Sequence, residues 1–357
     1  MPNPADPLQF THGPTWRNSL ALAPLTNRQS HPDGVLSDDE IDWLTARAEG
    51  GFGLVMTAAA FVAPAGHVWD GQLGVADDDH LPGLQRLAKG LRAAGAASSV
   101  QLHHGGRRAE RAITGRAAQC PWDDPDHDAV GMTLDEIEAS VADFVAAAVR
   151  AERAGFDGVE VHGAHGYLIG QFMDSTRNNR ADAYGGSLDN RFRIVGEVLE
   201  GIRAATGDDF QLGLRLSPEG FGIPLDDGRE YARRALETGL LDYLELSLWD
   251  VFMRPRKGGD GLLIDHFVDL PRGATRLGVA GRVLSTADAQ WCLDKGADSV
   301  SVGKGAIVHH DFAARAVADE AFTARSLPVS VDVLTQERVG PAFIDYLAET
   351  FPDVVEV

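Results

Sequence analysis

Short runs of apolar and β-branched residues recur along the chain, separated by longer stretches with helical spacing. LALAPL (20–25), GLVMTAA (53–59), SSVQLHH (98–104), GVEVHGA (158–164), QLGLRLS (211–217), YLELSL (243–248), RLGVAG (276–281) and SVSVGK (299–304) read as eight strands. The runs are continuous rather than alternating, as expected for parallel strands buried on both faces. The helices between them have legible starts. Ser37 stands three residues before Glu40, and Thr133 three before Glu136, a spacing at which two side chains satisfy two orphan backbone donors. In the helix from Thr133, Ile137, Val141, Phe144, Val145 and Ala148 share one face. After Ser187, Phe192, Val195, Leu199 and Ile202 do likewise, and Gly207 marks the stop. Further helices are expected after Asp79, Asp227, Ser285 and Asp311. The stretch GGDGLLIDHFVDLPRG (258–273) is broken by glycine and proline.

Eight strands alternating with helices predict an α/β fold, a (β/α)8 TIM barrel. An open doubly wound sheet would carry a glycine fingerprint after its first strand. APLTNRQS (23–30) has none, and no GxxxxGK[ST] phosphate loop occurs. The barrel occupies residues 1–325 in this reading. Residues 105–132 form a long loop over its mouth, and residues 326–357 a C-terminal extension packed on or near it.

Composition narrows the setting. A chain of 357 residues that is 44% hydrophobic can bury a large core. The net charge of -21 disfavours nucleic acid and anionic membrane as partners. Cys120 and Cys292 lie far apart with no CxxC, which argues against a disulfide framework and a thiolate-held iron–sulfur cluster. MPNPADPLQF lacks the regions of a signal peptide, and no run of about 18 apolar residues exists to span a membrane. A cytoplasmic protein is expected.

In such a barrel the active site gathers at the C-terminal ends of the strands. There the sequence sets His162 and His165, with Tyr167 two residues on. HxxH suggests a metal, with His103 or Asp174 as further ligands. Zinc, however, needs three or four convergent ligands, and a strand end lacks the i, i+4 geometry of the common zinc motif. No metal is assigned. The histidines are otherwise polar groups satisfied by packing, or a pair of hydrogen-bond donors aimed at a carbonyl or anionic oxygen. No GxSxG elbow occurs, and nothing marks Ser217 as an activated nucleophile. Gly281 and Gly303 each end a late strand and are each followed by a cation, Arg282 and Lys304. Amides plus a cation suit a phosphate, and the loops after strands seven and eight are the usual phosphate site of this fold. Trp69, Trp249, Phe252 and Met253 are candidates for shaping a pocket.

The stretch 159–193, VEVHGAHGYLIGQFMDSTRNNRADAYGGSLDNRFR, closely resembles the signature of the Old Yellow Enzyme family of FMN-dependent ene-reductases. APLTN (23–27), VQLHHGGRRA (100–109), GLRLSP (213–218) and SVGKGAIVHHDF (301–312) match that family in order and spacing, so the resemblance spans roughly residues 8–325. It implies tightly bound, non-covalent FMN, NAD(P)H as reductant, and a small α,β-unsaturated substrate such as an enone, enal, maleimide or nitroalkene. By that resemblance Thr26 lies near flavin O4, and Pro24, Leu25 and Ala59 line the flavin. Gln101 reads its pyrimidine edge, Arg215 stands by N1 and O2, and Gly281, Arg282, Gly303 and Lys304 hold the phosphate. His162 and His165 hold the substrate oxygen and Tyr167 donates a proton. Arg180, Asp182, Tyr184 and Arg191 brace a loop. Lys304 stands where the family more often has arginine. Relatives that reduce dienoyl-CoA or demethylate amines carry an iron–sulfur domain after the barrel, which this chain is expected to lack. Another flavin reaction on the same barrel, amine oxidation or demethylation, and a flavin- or phosphate-binding protein without turnover are the alternatives. The protein is read as a monomer or a homodimer.

Overall fold

All eight expected strands form, and they close on one another. The computed structural model describes residues 2–356. The strands are β1 (Leu20–Leu22), β2 (Leu54–Phe61), β3 (Ala97–His103), β4 (Gly158–Gly163), β5 (Gln211–Leu216), β6 (Tyr243–Ser247), β7 (Arg276–Ala280) and β8 (Ser299–Val302). Each pairs in parallel with its neighbours in sequence, and β1 pairs with β8, giving a closed barrel. Nearly every strand residue is buried, as the unbroken apolar runs require. The first strand is shorter than expected. The Ala23 amide still donates to the Val302 carbonyl at 3.1 Å, and Pro24 has no N–H with which to continue the ladder.

The helices follow the predicted faces. α1 (Asp38–Glu49) and α2 (Leu81–Ala93) precede α3 (Leu134–Ala154), where Ile137, Phe144 and Ala148 are fully buried with Val141 and Val145 packed against them. Thr133 and Glu136 complete a reciprocal cap. Ser37 accepts from the Glu40 amide, but the expected return bond is missing. The Glu40 carboxylate is buried instead and receives Asn27 and Ser30. Burial raises its pKa, partly offset by those two donors. α4 (Leu188–Ala205) starts at Ser187 and buries Phe192, Val195, Leu199 and Ile202. Its end differs from the expectation: Thr206 is the cap, in extended conformation, and Gly207 does not adopt a left-handed one. α5 (Leu225–Glu237) begins two residues before Asp227. The broken stretch after β6 holds only a 3-10 turn, Leu263–His266. α6 (Thr286–Lys295) is capped by Ser285, and α7 (Lys304–Val308) and α8 (Phe312–Ala318) follow the last strand.

The excursion over the mouth is more built than a loop. Ala118–Cys120 pairs with Ala129–Gly131 in a small separate sheet, and Ala109, Ala118, Cys120, Trp122 and Ala129 pack together beneath it. Arg180 ties this excursion to the barrel, donating to the Pro121 and Met132 carbonyls while pairing with Asp182 at 2.6 Å. Arg191 likewise joins α4 to α5 through Asp227 at 2.8 Å.

The C-terminal segment turns back onto the barrel mouth. Its last helix, Pro341–Thr350, buries Phe343 edge-on against Trp43, with ring centroids 5.0 Å apart, and also buries Leu347. Arg338 to Asp42 (2.6 Å) and the Gly340 amide to Gln29 (3.0 Å) fix its approach. Among the described residues no helix is long and apolar enough to cross a membrane.

Candidate active site

Strand register brings the polar groups together. It sets His162 beside Arg215 and Arg215 beside Glu245 across three adjacent strands. Beyond β4 the chain turns sharply. His165 sits at φ 60, a left-handed conformation uncommon for a residue with a side chain, and the Ser217 hydroxyl accepts from its amide at 3.0 Å. The turn folds the His165 ring over His162, with centroids 5.0 Å apart and planes 88° apart. His162 Nε2 and His165 Nδ1 then face each other at 3.3 Å.

Their neighbours constrain the protons. The Ala164 amide donates to His162 Nδ1 at 3.2 Å, so His162 carries its hydrogen on Nε2. His165 Nε2 lies 2.8 Å from Ser247 Oγ, to which Arg215 Nη2 donates at 3.3 Å. When the serine hydroxyl donates to His165, both facing nitrogens carry hydrogens and require one acceptor between them. When it accepts, His165 Nδ1 receives the His162 hydrogen and the pair closes on itself. Both imidazoles are neutral at ordinary pH. Burial holds His162 well below its usual range, and His165, His103, Arg215 and Arg108 add to the effect. Burial, then Arg215 and Arg108, lower His165 to about 3.

Tyr167 precedes the short helix Leu168–Met173, its ring 5.2 Å from that of His162 and 4.3 Å from that of His103. Burial raises the phenol pKa, opposed in part by Arg108, whose guanidinium lies 4.9 Å above the ring. His103 and Asp174, the further ligands a metal would need, are engaged elsewhere. Gln72 Nε2 lies 3.0 Å from His103 Nδ1, and the Asp174 carboxylate takes Thr176 and Arg177. Of the aromatic candidates, Trp249 stands at the mouth, 5.9 Å from His165, and Trp69 is 5.8 Å from His103. Phe252 instead packs on Trp291, and Met253 against the core.

A cavity of about 300 Å³ adjoins this cluster. Pro24, Leu25, Thr26, Arg215, Gly281, Arg282, Gly303 and Lys304 line it together with Ser247 and Trp249. Ala59 and Gln101, expected there, do not. The Ala59 carbonyl accepts from Gln72, and Gln101 Nε2 donates to Glu160 at 2.7 Å. The two expected phosphate cations are paired with carboxylates, Arg282 with Asp250 at 3.1 Å and Lys304 with Asp353 of the C-terminal segment. That segment also supplies an apolar wall of Phe343, Tyr346, Leu347, Phe351 and Val354. Sequence reasoning missed this wall, and missed Ser247, although YLELSL ends at its neighbour.

The lining suits a flat aromatic group that carries an anion. The lining combines apolar walls with the cations Arg215, Arg282 and Lys304. A Cβ on Gly303 would meet only Leu25, at 3.6 Å, so backbone is open to a close ligand there. On Gly281 it would fall 2.8 Å from the Asp250 amide, so glycine is needed for the loop itself. Arg215 Nε is buried 3.2 Å from Glu245 Oε1, near enough for an ion pair but not aligned for a hydrogen bond. FMN fits this donor set.

Below Arg215 two carboxylates share the barrel interior. Glu245 accepts from Ser301, and Glu160 from Gln101. Burial, then the charge of Glu245, push Glu160 up to about 8, against the pull of Arg215 and Gln101. A raised carboxyl pKa contributes stability at low pH that is lost as pH rises through the folded value. The protein is therefore expected to lose stability progressively from about pH 4.5 to about 8 on account of this residue. Glu160→Gln, which keeps the Gln101 bond, should flatten that slope in urea titrations at a series of pH values. An unchanged slope would remove Glu160 from the account.

Comparison with known proteins agrees with the geometry. The model of the NADH:flavin oxidoreductase / NADH oxidase family matches residues 6–319. A probable NADH-dependent flavin oxidoreductase, YqiG of Bacillus subtilis (strain 168), is 35% identical over 85% of this chain and 84% of its own length. An NADH oxidase of Thermoanaerobacter brockii is 38% identical over 63% of this chain, which spans only 36% of that longer protein. The Old Yellow Enzyme homologue from Zymomonas mobilis has the same fold, with a TM-score of 0.81 over 95% of this chain and 99% of that one at 24% identity. The chain belongs to the NADH:flavin oxidoreductase / NADH oxidase family, the Old Yellow Enzymes, and is an FMN-dependent oxidoreductase that draws its electrons from NAD(P)H.

Proposed function

We propose that the enzyme reduces activated C=C bonds, in enones, enals, maleimides and nitroalkenes. The observation that carries this reading is the convergence of His162 Nε2 and His165 Nδ1, on neutral rings, beside Tyr167. FMN held in the cavity would supply the hydride that such a substrate takes at its β-carbon. Charge then develops on the carbonyl or nitro oxygen, where two preoriented N–H donors lower the barrier. The oxygen takes the place each histidine nitrogen has as partner of the other, and Ser247 turns its hydroxyl toward His165 Nε2. The α-carbon becomes strongly basic, and Tyr167, protonated at neutral pH, delivers its proton. Two N–H donors stabilise an oxygen that gains negative charge and do nothing for an amine nitrogen that loses electron density, which favours this reading over oxidation at nitrogen.

Pro24, Leu25, Thr26, Arg215, Gly281, Arg282, Gly303 and Lys304 are assigned to FMN; for Lys304 this means exchanging Asp353 for phosphate. The point charge of lysine makes a less specific clamp than an arginine fork. Ala59 and Gln101 lie behind the cavity wall, with Gln101 held by Glu160. Steady-state assays without oxygen test the function. NADH or NADPH consumption that depends on the alkene, with saturated product formed, supports it. Consumption that requires oxygen and ignores every alkene overturns it.

A further inference from the structure

A second cavity opens beside the first at the barrel mouth. It encloses about 540 Å³ between the turn after β5 and the glycine-rich stretch after β6, with Phe221, Arg256, Lys257, Gly258 and Gly259 in its wall. The two cavities meet at a pair of stacked rings. Trp249 lines the first and Phe221 the second, with centroids 6.4 Å apart and planes 27° apart. Both residues hold left-handed backbone, at φ 65 and φ 55, which their side chains disfavour. Arg256 lies 5.8 Å over the Trp249 ring, and Arg108 5.8 Å over the Phe221 ring.

These cations are unusual for this molecule. Its formal charge is -21, and most surface arginines sit on carboxylates, as Arg111 does on Asp128 and Arg153 on Asp78. Among the described residues, the ion pairs within 4.0 Å include none to Arg108, Arg256 or Lys257, and Glu219 receives the Arg256 backbone amide rather than its guanidinium. An acidic protein that must admit an anionic dinucleotide repels it at long range, so unpaired cations beside the entrance have a specific use.

We propose that this second cavity binds the phosphorylated adenosine half of NAD(P)H. Arg256 and Lys257 contact its phosphates, and Ile223, Pro224 and the rim of Phe221 give the adenine an apolar wall. The nicotinamide half then reaches over the Trp249–Phe221 stack toward the flavin cavity. This rests on NAD(P)H as reductant and is independent of which alkene is reduced.

The test is the reductive half-reaction of the FMN-loaded enzyme, followed by flavin bleaching in a stopped-flow instrument. NADPH and NADH are compared with 1-benzyl-1,4-dihydronicotinamide, which has no phosphate. In Arg256→Ala the Kd for the dinucleotides should rise about tenfold, as for loss of a charge-assisted hydrogen bond. Arg256→Ala/Lys257→Ala should rise further, and Arg256→Lys should recover most of the affinity. The phosphate-free donor should bleach all variants at the wild-type rate. Added salt should weaken dinucleotide binding more in the wild type than in the double variant. A larger loss for NADPH than for NADH places the cations on the 2′-phosphate; an equal loss places them on the diphosphate. Unchanged dinucleotide affinity in the double variant overturns the proposal. So does an equal loss with the phosphate-free donor, which would show damage to the flavin site.

Discussion

In Tyr167→Phe, reoxidation of the reduced enzyme by an enone should slow by about two to four orders of magnitude, the usual worth of a positioned general acid. Reduction by NADPH should stay as it was, because no proton is needed from this residue in that half. The structure gives the reason for so clean a separation. Tyr167 packs against His162 and His103 with its ring, so phenylalanine fills the same space. What is lost is a hydroxyl beside Arg108, held protonated by burial. Rapid mixing of the separately reduced variant with enone checks the first claim, and mixing of the oxidised variant with NADPH checks the second. An enone step at the wild-type rate would show that the proton comes from elsewhere.

The second large effect belongs to the histidines. His162→Ala or His165→Ala should weaken binding of a simple phenol, taken up as phenolate, by about 100-fold. A preoriented donor in a dry site is worth about 3 kcal/mol. The pH profile adds a sharper criterion. Both rings have folded pKa values depressed by burial and by Arg215 and Arg108, so neither gains a proton until the solution is strongly acid. Phenolate affinity in the wild type should therefore show no inflection near the ordinary histidine value of about 6.5. An inflection there that vanishes on substitution would mean that a histidine binds as a cation, and the neutral-donor account would fail.

The barrel itself was legible because its strands are unbroken apolar runs and its helices carry capping residues. Both are local patterns that tertiary context reinforces. Thr133–Glu136 obeyed its pattern. Ser37–Glu40 did so by half, since a nearby buried Asn27 and Ser30 competed for the Glu40 carboxylate, and no spacing rule registers a partner from another loop. The histidines and Tyr167 were visible as a motif, but their pairing depends on the left-handed backbone of His165 and on Ser247 from two strands away. Gln101 sits one strand pairing from Glu160, and that contact, not proximity to the cavity, decides where its amide points. The C-terminal wall was the least legible part. The segment 326–357 was expected only as an extension on or near the barrel, and nothing in PAFIDYLAET says that Phe343 docks on Trp43 some three hundred residues earlier.

The central claim is that His162, His165 and Tyr167 form one site for reducing a C=C bond. Its most direct test is a single-turnover experiment without oxygen. FMN-loaded enzyme is reduced with one equivalent of NADPH, mixed with 2-cyclohexenone, and followed by flavin absorbance and product analysis. The account predicts return of the oxidised flavin spectrum with one equivalent of cyclohexanone, fast in the wild type and slow in Tyr167→Phe. Flavin that stays reduced until air is admitted, with no cyclohexanone formed, would contradict it.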